Sequence, residues 1–115
     1  MAKDRLFLLH NEFADEALGG GSFYCRDCML LNGLIAAFPE QASRLDIVRV
    51  PFPRPRVPVI EAIGEGNQAL PVLVLADDAA ADLANGADDV THFVSDFPAL
   101  LHALHVRHGF PEPHP

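Results

Sequence analysis

Cys25 and Cys28 are the only thiols in this 115-residue chain, and they stand three residues apart in Cys25-Arg26-Asp27-Cys28. A pair at that spacing can close a small disulfide, present a thiolate or hold a metal ion. Upstream, Arg5-Leu6-Phe7-Leu8-Leu9-His10 is an apolar run that predicts a strand; downstream, Met29 to Phe38 predicts a helix. The pair therefore falls where a loop hands over to a helix N-terminus. Orphan N–H groups and the positive end of the helix dipole favour negative charge there. Cys25, at the mouth of the first turn, gains most from this. Arg26 adds a favourable charge and Asp27 an unfavourable one. Cys28 lies one turn in, followed by Met29, Leu30 and Leu31, and is expected to face the interior, where burial raises a thiol's pKa. Two cysteines at this spacing and location argue against a merely inert, half-buried pair.

Other polar groups are weaker candidates. Arg54 and Arg56 each offer a fork that could grip a carboxylate, or they stand solvated against an acidic surface, which is the simpler reading. Asp77, Asp78, Asp82, Asp88 and Asp89 make a stretch with five acids and no base. It lacks the spacing of a calcium loop and reads as a solvated segment. His102, His105 and His108 recur every three residues and share one stripe of a helix. Zinc needs four ligands, which Cys25, Cys28 and two histidines could supply. The sequence brings no histidine near the cysteine pair, so we expect surface histidines and no structural zinc.

The elements that must position these groups follow from pattern and punctuation. A strand is predicted over residues 5–10, and the glycine-rich segment from Asn11 to Tyr24 reads as a loop. A helix runs from about Cys25 to Phe38 and ends at Pro39. Leu45 to Val50 alternates as a second strand. Pro51, Pro53, Pro55 and Pro58 then forbid helix and ladder alike and make an extended connection that carries both arginines. Val59 to Ile63 is a short helix stopped by Gly64. Pro71 to Leu75 is apolar throughout and predicts a third strand buried on both faces. A helical turn is expected around Ala79 to Leu83, a fourth strand over Val90 to Val94, and a last helix capped by Ser95 or Asp96, running to His108 and ended by Gly109. The order is β-α-β-α-β-β-α in one domain spanning residues 1–115. The first βαβ requires a parallel pair, and the last two strands an antiparallel edge: an α/β sandwich with a four-stranded mixed sheet.

Composition bounds the partners. A net charge of −8 argues against nucleic acid and against an anionic membrane surface. Half of the residues are hydrophobic, enough for a core without disulfide staples. The apolar run after Lys3, Asp4 and Arg5 is too short for a signal-peptide core or a membrane span, so a cytoplasmic protein with a reduced pair is expected.

A CxxC pair between a first strand and a first helix, with Leu70-Pro71 ahead of the third strand, resembles the thioredoxin-like superfamily. Within it, Val59 to Leu75 is similar to the short helix, Asn-containing turn, cis-proline and third strand of glutaredoxins and of the N-terminal domains of glutathione transferases. Phe23-Tyr24-Cys25-x-x-Cys28 and Arg54-Pro55-Arg56 look like an uncharacterised bacterial family filed as a domain of unknown function. The resemblance implies residue roles. Cys25 would be the attacking cysteine, Cys28 the resolving one and Pro71 a cis-proline facing them. The Leu70 backbone would pair with a peptide or glutathione strand, and Asp96 would lie near the γ-glutamyl end of glutathione. The chain departs from the pattern at Phe97, which stands where the transferases place a serine, in its longer loop before Cys25, and in its Arg-Asp dipeptide. No helical second domain is expected from these residues, so a complete glutathione transferase is not the expectation.

Three functions follow as expectations. The first is a thiol–disulfide oxidoreductase without a bound cofactor, acting on a disulfide-bearing protein or a small thiol such as glutathione as co-substrate. The second is a non-catalytic module that binds a protein partner or a small thiol ligand, and the third is a structural zinc site at the CxxC.

Overall fold

The computed structural model describes residues 3–76 and 81–115. The strands are β1 (Asp4–Leu9), β2 (Phe13–Ala14), β3 (Ser22–Phe23), β4 (Leu45–Val50), β5 (Val72–Val74), β6 (Gly86–Asp88) and β7 (Thr91–Val94). The α-helices are α1 (Arg26–Ala37), α2 (Pro39–Ala42), α3 (Val57–Ile63) and α4 (Phe97–His108).

Five strands form one mixed sheet in the order β4-β1-β5-β7-β6. β1 and β4 are parallel, from Asp4 opposite Leu45 to Leu9 opposite Val50. β5 runs antiparallel to β1, β7 to β5, and β6 to β7. Strand alternation sorts side chains between the two faces. Leu6 and Leu8 of β1, Leu73 of β5 and Val94 of β7 share one core with Cys28 and Leu31 of α1 and Leu100, Ala103 and Leu104 of α4. Phe7, Val72, Val74 and Phe93 point the other way, to Val59 and Ile63 of α3. The apolar third strand is thus buried on both faces, as its sequence requires.

The expected four-stranded sheet is corrected to five. The fifth strand, β6, lies in the acidic segment, where Gly86 and Asp88 gave no strand signal. Gly86 is what permits the pairing: a Cβ there would stand 2.4 Å from the Phe93 ring. The loop from Asn11 to Tyr24 is also corrected, because β2 and β3 form a separate two-stranded ribbon within it. Phe13 of that ribbon stacks on Phe52, ring centroids 4.4 Å apart, and apolar contact holds a segment whose glycines suggested none. The first helix starts one residue later than expected, with Cys25 as its cap, and a short α2 follows where only a stop at Pro39 was read. The expected helical turn from Ala79 survives as a 3-10 turn at Ala81–Leu83, while Asp77, Asp78, Ala79 and Ala80 lie outside the described residues.

A buried ionic cluster ties the start of the sheet to the end of α4. Asp4, 1% exposed, accepts from Arg107 Nε at 2.6 Å and Arg107 Nη2 at 2.8 Å, and from the Ala76 N–H at 2.8 Å. His108 Nε2 lies 2.7 Å from the same carboxylate. Burial alone would raise the Asp4 pKa, but these bonds overcome it and hold the carboxyl well below the usual range. His108 is therefore not the surface residue its helical spacing suggested. Among the described residues, no helix is long and apolar enough to cross a membrane.

Candidate functional site

Strand register brings the candidate residues to one end of the sheet. β1 and β4 both finish there, at Leu9 and Val50. Val72 faces Phe7, so Pro71 and Leu70 continue antiparallel towards the level of Leu8 and Leu9. Leu73 faces Val94, so Asp96 lies level with Pro71. The loops that leave this end carry Cys25 after β1, Arg54 and Arg56 after β4, and Leu70-Pro71 before β5. In open sheets of this kind, the carboxyl ends of parallel strands are where ligands are held.

Cys25 caps α1 with extended backbone (φ −80°, ψ 120°), and its Sγ accepts the Cys28 N–H at 3.2 Å. The Cys25 carbonyl accepts the Met29 N–H at 2.9 Å, so the residue is fixed at both its side chain and its backbone. Both cysteines are free thiols; Cys25 is partly exposed and Cys28 is 1% exposed. Burial, followed by the hydrogen bond to Cys25, pushes the Cys28 thiol up to about 12, against a smaller lowering by a hydrogen bond with the Leu9 backbone. That contact places the Cys28 sulfur at the end of β1, on the level of Leu70 and Pro71. The Leu70-Pro71 peptide is cis, and so is Arg54-Pro55.

The two arginines divide. Arg54 is exposed and makes no hydrogen bond or ion pair among the described residues. Arg56 is 6% exposed. Its Nε and Nη2 donate to the Phe52 carbonyl at 2.9 and 2.7 Å, its Nη1 donates to the Gln68 carbonyl at 2.7 Å, and it lies over the Phe52 ring. The Arg56 N–H in turn donates to Gln68 Oε1 at 2.8 Å. Neither the solvated arginine nor the carboxylate grip foreseen from sequence describes this residue: it clamps the proline-rich loop to the segment that enters β5. Burial and repulsion from Arg54 lower its pKa, while charge on Cys28 and Cys25 acts the other way, so the guanidinium sits within electrostatic reach of the pair.

Asp96 is exposed and caps α4, accepting the Ala99 N–H at 3.1 Å. Asn85 Oδ1 accepts the N–H groups of Ser95 and Asp96 at 2.7 and 3.3 Å, fixing the turn into α4. Sequence reasoning missed Gln68, Phe52 and the Asp4–Arg107–His108 cluster. Their partners are other loops or distant elements, and no local pattern encodes such pairings. The histidine stripe itself is dispersed. His102 pairs with Glu112 at 2.9 Å, His105 bonds the Phe110 carbonyl at 2.8 Å, and His108 turns inward to Asp4. Among the described residues, no three of His, Cys, Asp and Glu converge as metal ligands.

No curated protein and no solved structure matches this chain. One family model does, over residues 3–112, and the chain accordingly belongs to the family described as a protein of unknown function (DUF3088).

Proposed function

We propose that the chain is a thioredoxin-like thiol–disulfide oxidoreductase in which Cys25 attacks and Cys28 resolves. The observation that carries the reading is the inequality of the two thiols at the open end of the sheet: Cys25 is reachable and held by a helix N-terminus, whereas Cys28 is buried with its thiol at about 12. The strand sequence β4-β1-β5-β7, with its parallel pair and two antiparallel steps, supports the thioredoxin-like assignment, and β6 is then an added edge strand.

The chemistry balances without a bound cofactor. The Cys25 thiolate attacks one sulfur of a disulfide R–S–S–R′, forming a Cys25–S–S–R bond and releasing R′S⁻, which takes up a proton. The Cys28 thiol then loses its proton and attacks Cys25 Sγ, closing the Cys25–Cys28 disulfide and releasing RS⁻. Two electrons pass from the pair to the substrate. A dithiol, or two molecules of a monothiol such as glutathione, returns the pair to its reduced form. Removing the Cys28 proton is the harder half, because burial opposes the thiolate. Leu70 offers backbone beside Pro71 for an extended peptide or γ-glutamyl strand, and exposed Arg54 and Asp96 flank the approach.

The test is the reaction of reduced protein with one equivalent of 5,5′-dithiobis(2-nitrobenzoate). Wild type should release two equivalents of thionitrobenzoate and end with an intramolecular disulfide. Cys28→Ser should release one and retain a mixed disulfide at Cys25. A wild type that stops at one equivalent, or a Cys28→Ser variant that forms no adduct, refutes the assignment.

A second reading is a thioredoxin-fold module that binds a ligand without turnover. One observation favours it: a cleft of 710 Å³ beside Tyr24 and Met29, within the size range of small-ligand sites.

A further inference from the structure

We infer that this cleft is a binding site for a small molecule with an apolar body and a carboxylate group, Arg49 receiving the carboxylate. The cleft lies between the β2–β3 ribbon and the outer face of α1, and β4 supplies Arg49. Most of its surface is apolar, with Phe23, Tyr24, Met29 and Ile35 among the residues that line it. Tyr24 is 62% exposed, a large ring left uncovered beside Cys25. Such a surface calls for an apolar partner of comparable size.

The polar end is specific. Arg49 Nη2 donates to Asn32 Oδ1 at 2.7 Å, and Asn32 Nδ2 donates to Asn11 Oδ1 at 3.1 Å. This relay orients the guanidinium through neutral amides alone. Among the described residues no carboxylate lies within salt-bridge distance of Arg49, although the chain carries a net charge of −8. An exposed guanidinium with one neutral hydrogen-bond partner, lining a cleft of mostly apolar surface, keeps donors for a carboxylate, which it can bind in bidentate fashion. Glu12, the one acid lining the cleft, is engaged by the Ser22 hydroxyl. Its charge works against an anion and limits affinity without offering Arg49 a partner.

The site does not depend on the redox reading, since its residues are neither cysteine. It also carries its own reporter: Tyr24 is the only tyrosine, and the chain has no tryptophan. Titration with 6-phenylhexanoate, followed by tyrosine fluorescence and calorimetry, should give a saturable one-to-one change. The neutral 6-phenylhexanamide should bind about tenfold more weakly or worse, the scale of one charge-assisted contact. Arg49→Gln should erase that preference while leaving the fold intact, because Arg49 is exposed. Glu12→Gln should tighten the acid. Cys25→Ser should bind like wild type, so that loss of disulfide chemistry and loss of this site are told apart. No saturable change, equal binding of acid and amide to wild type, a preference that survives Arg49→Gln, or weaker acid binding by Glu12→Gln would each overturn the inference.

Discussion

Replacing Cys25 with serine leaves Cys28 as the only thiol, and its reactivity then measures how strongly the fold suppresses it. In the intact pair the Cys28 thiol is raised from an ordinary 9.0 to about 12. At pH 7 a thiol of that acidity is ionised in about one molecule in 10⁵, against about one in 10² for an ordinary thiol, a thousandfold difference in the nucleophilic form worth about 4 kcal/mol. Part of the shift comes from the hydrogen bond to Cys25 and from its charge; serine removes the charge and exchanges the sulfur for a neutral hydroxyl, so this part shrinks. Burial is the largest cause and stays, because Leu31 and the Leu6–Leu8 face of β1 still enclose residue 28. Cys25→Ser should therefore react with iodoacetamide at least about a hundredfold more slowly than N-acetylcysteine at pH 7. Its rate should still be climbing at pH 10. Cys28→Ser should be alkylated at Cys25 without unfolding, and denaturant should abolish the difference between the variants. Mass spectrometry of quenched aliquots from pH 6 to pH 10 gives both profiles. A Cys28 profile that levels off near pH 9, or a Cys28 that reacts before Cys25, refutes the claim that burial makes the pair unequal.

Asp4 should govern acid stability. Its carboxyl is held below its unfolded value of about 3.9, so the unfolded chain binds the extra proton and stability rises with pH through that range. The contribution is complete above about pH 4 and fades as pH falls below it. Asp4→Asn should flatten the acid limb of a urea-midpoint profile and cost about 3 kcal/mol at pH 7, since Arg107 loses a buried partner; an unchanged acid limb would show that Asp4 is not the linked group. Arg56→Met keeps the apolar stem but leaves the Phe52 and Gln68 carbonyls without their donor. It should cost about 2–4 kcal/mol in denaturant unfolding; an unchanged unfolding midpoint would count against the clamp.

What the sequence made legible is what local pattern encodes. β1, β4, β5 and α4 fall within a residue or two of their expected limits because runs such as Val72-Leu73-Val74 and caps such as Asp96 are local signals. The cysteine pair at the head of α1 was equally plain, since a strand, a loop and a helix in order leave it few other places. The missing strands are of another kind. β6 is a polar segment that pairs only because Phe93 offers a flat ring under Gly86, and β2–β3 is held by Phe13 meeting Phe52, 39 positions on. Neither contact has a period or a spacing. The same holds for Arg56: from sequence, an arginine between prolines looks solvated, and only the closed loop shows that its donors are taken up by backbone carbonyls.

That clamp gives the site its logic. A buried guanidinium bound to neutral carbonyls keeps its full charge, and a low-dielectric setting makes such a charge count over longer distances than water allows. Negative charge at the cysteine pair favours the charged form of this guanidinium. Asp27 in the first turn of α1 acts in the opposite sense, disfavouring the Cys28 thiolate. One of these charges is buried and fixed by three hydrogen bonds, while the other sits on an exposed side chain that water screens. The proline-rich loop thus does two jobs with one side chain: it braces the entry to β5, and it holds a buried positive charge near the end of the sheet that carries the cysteine pair.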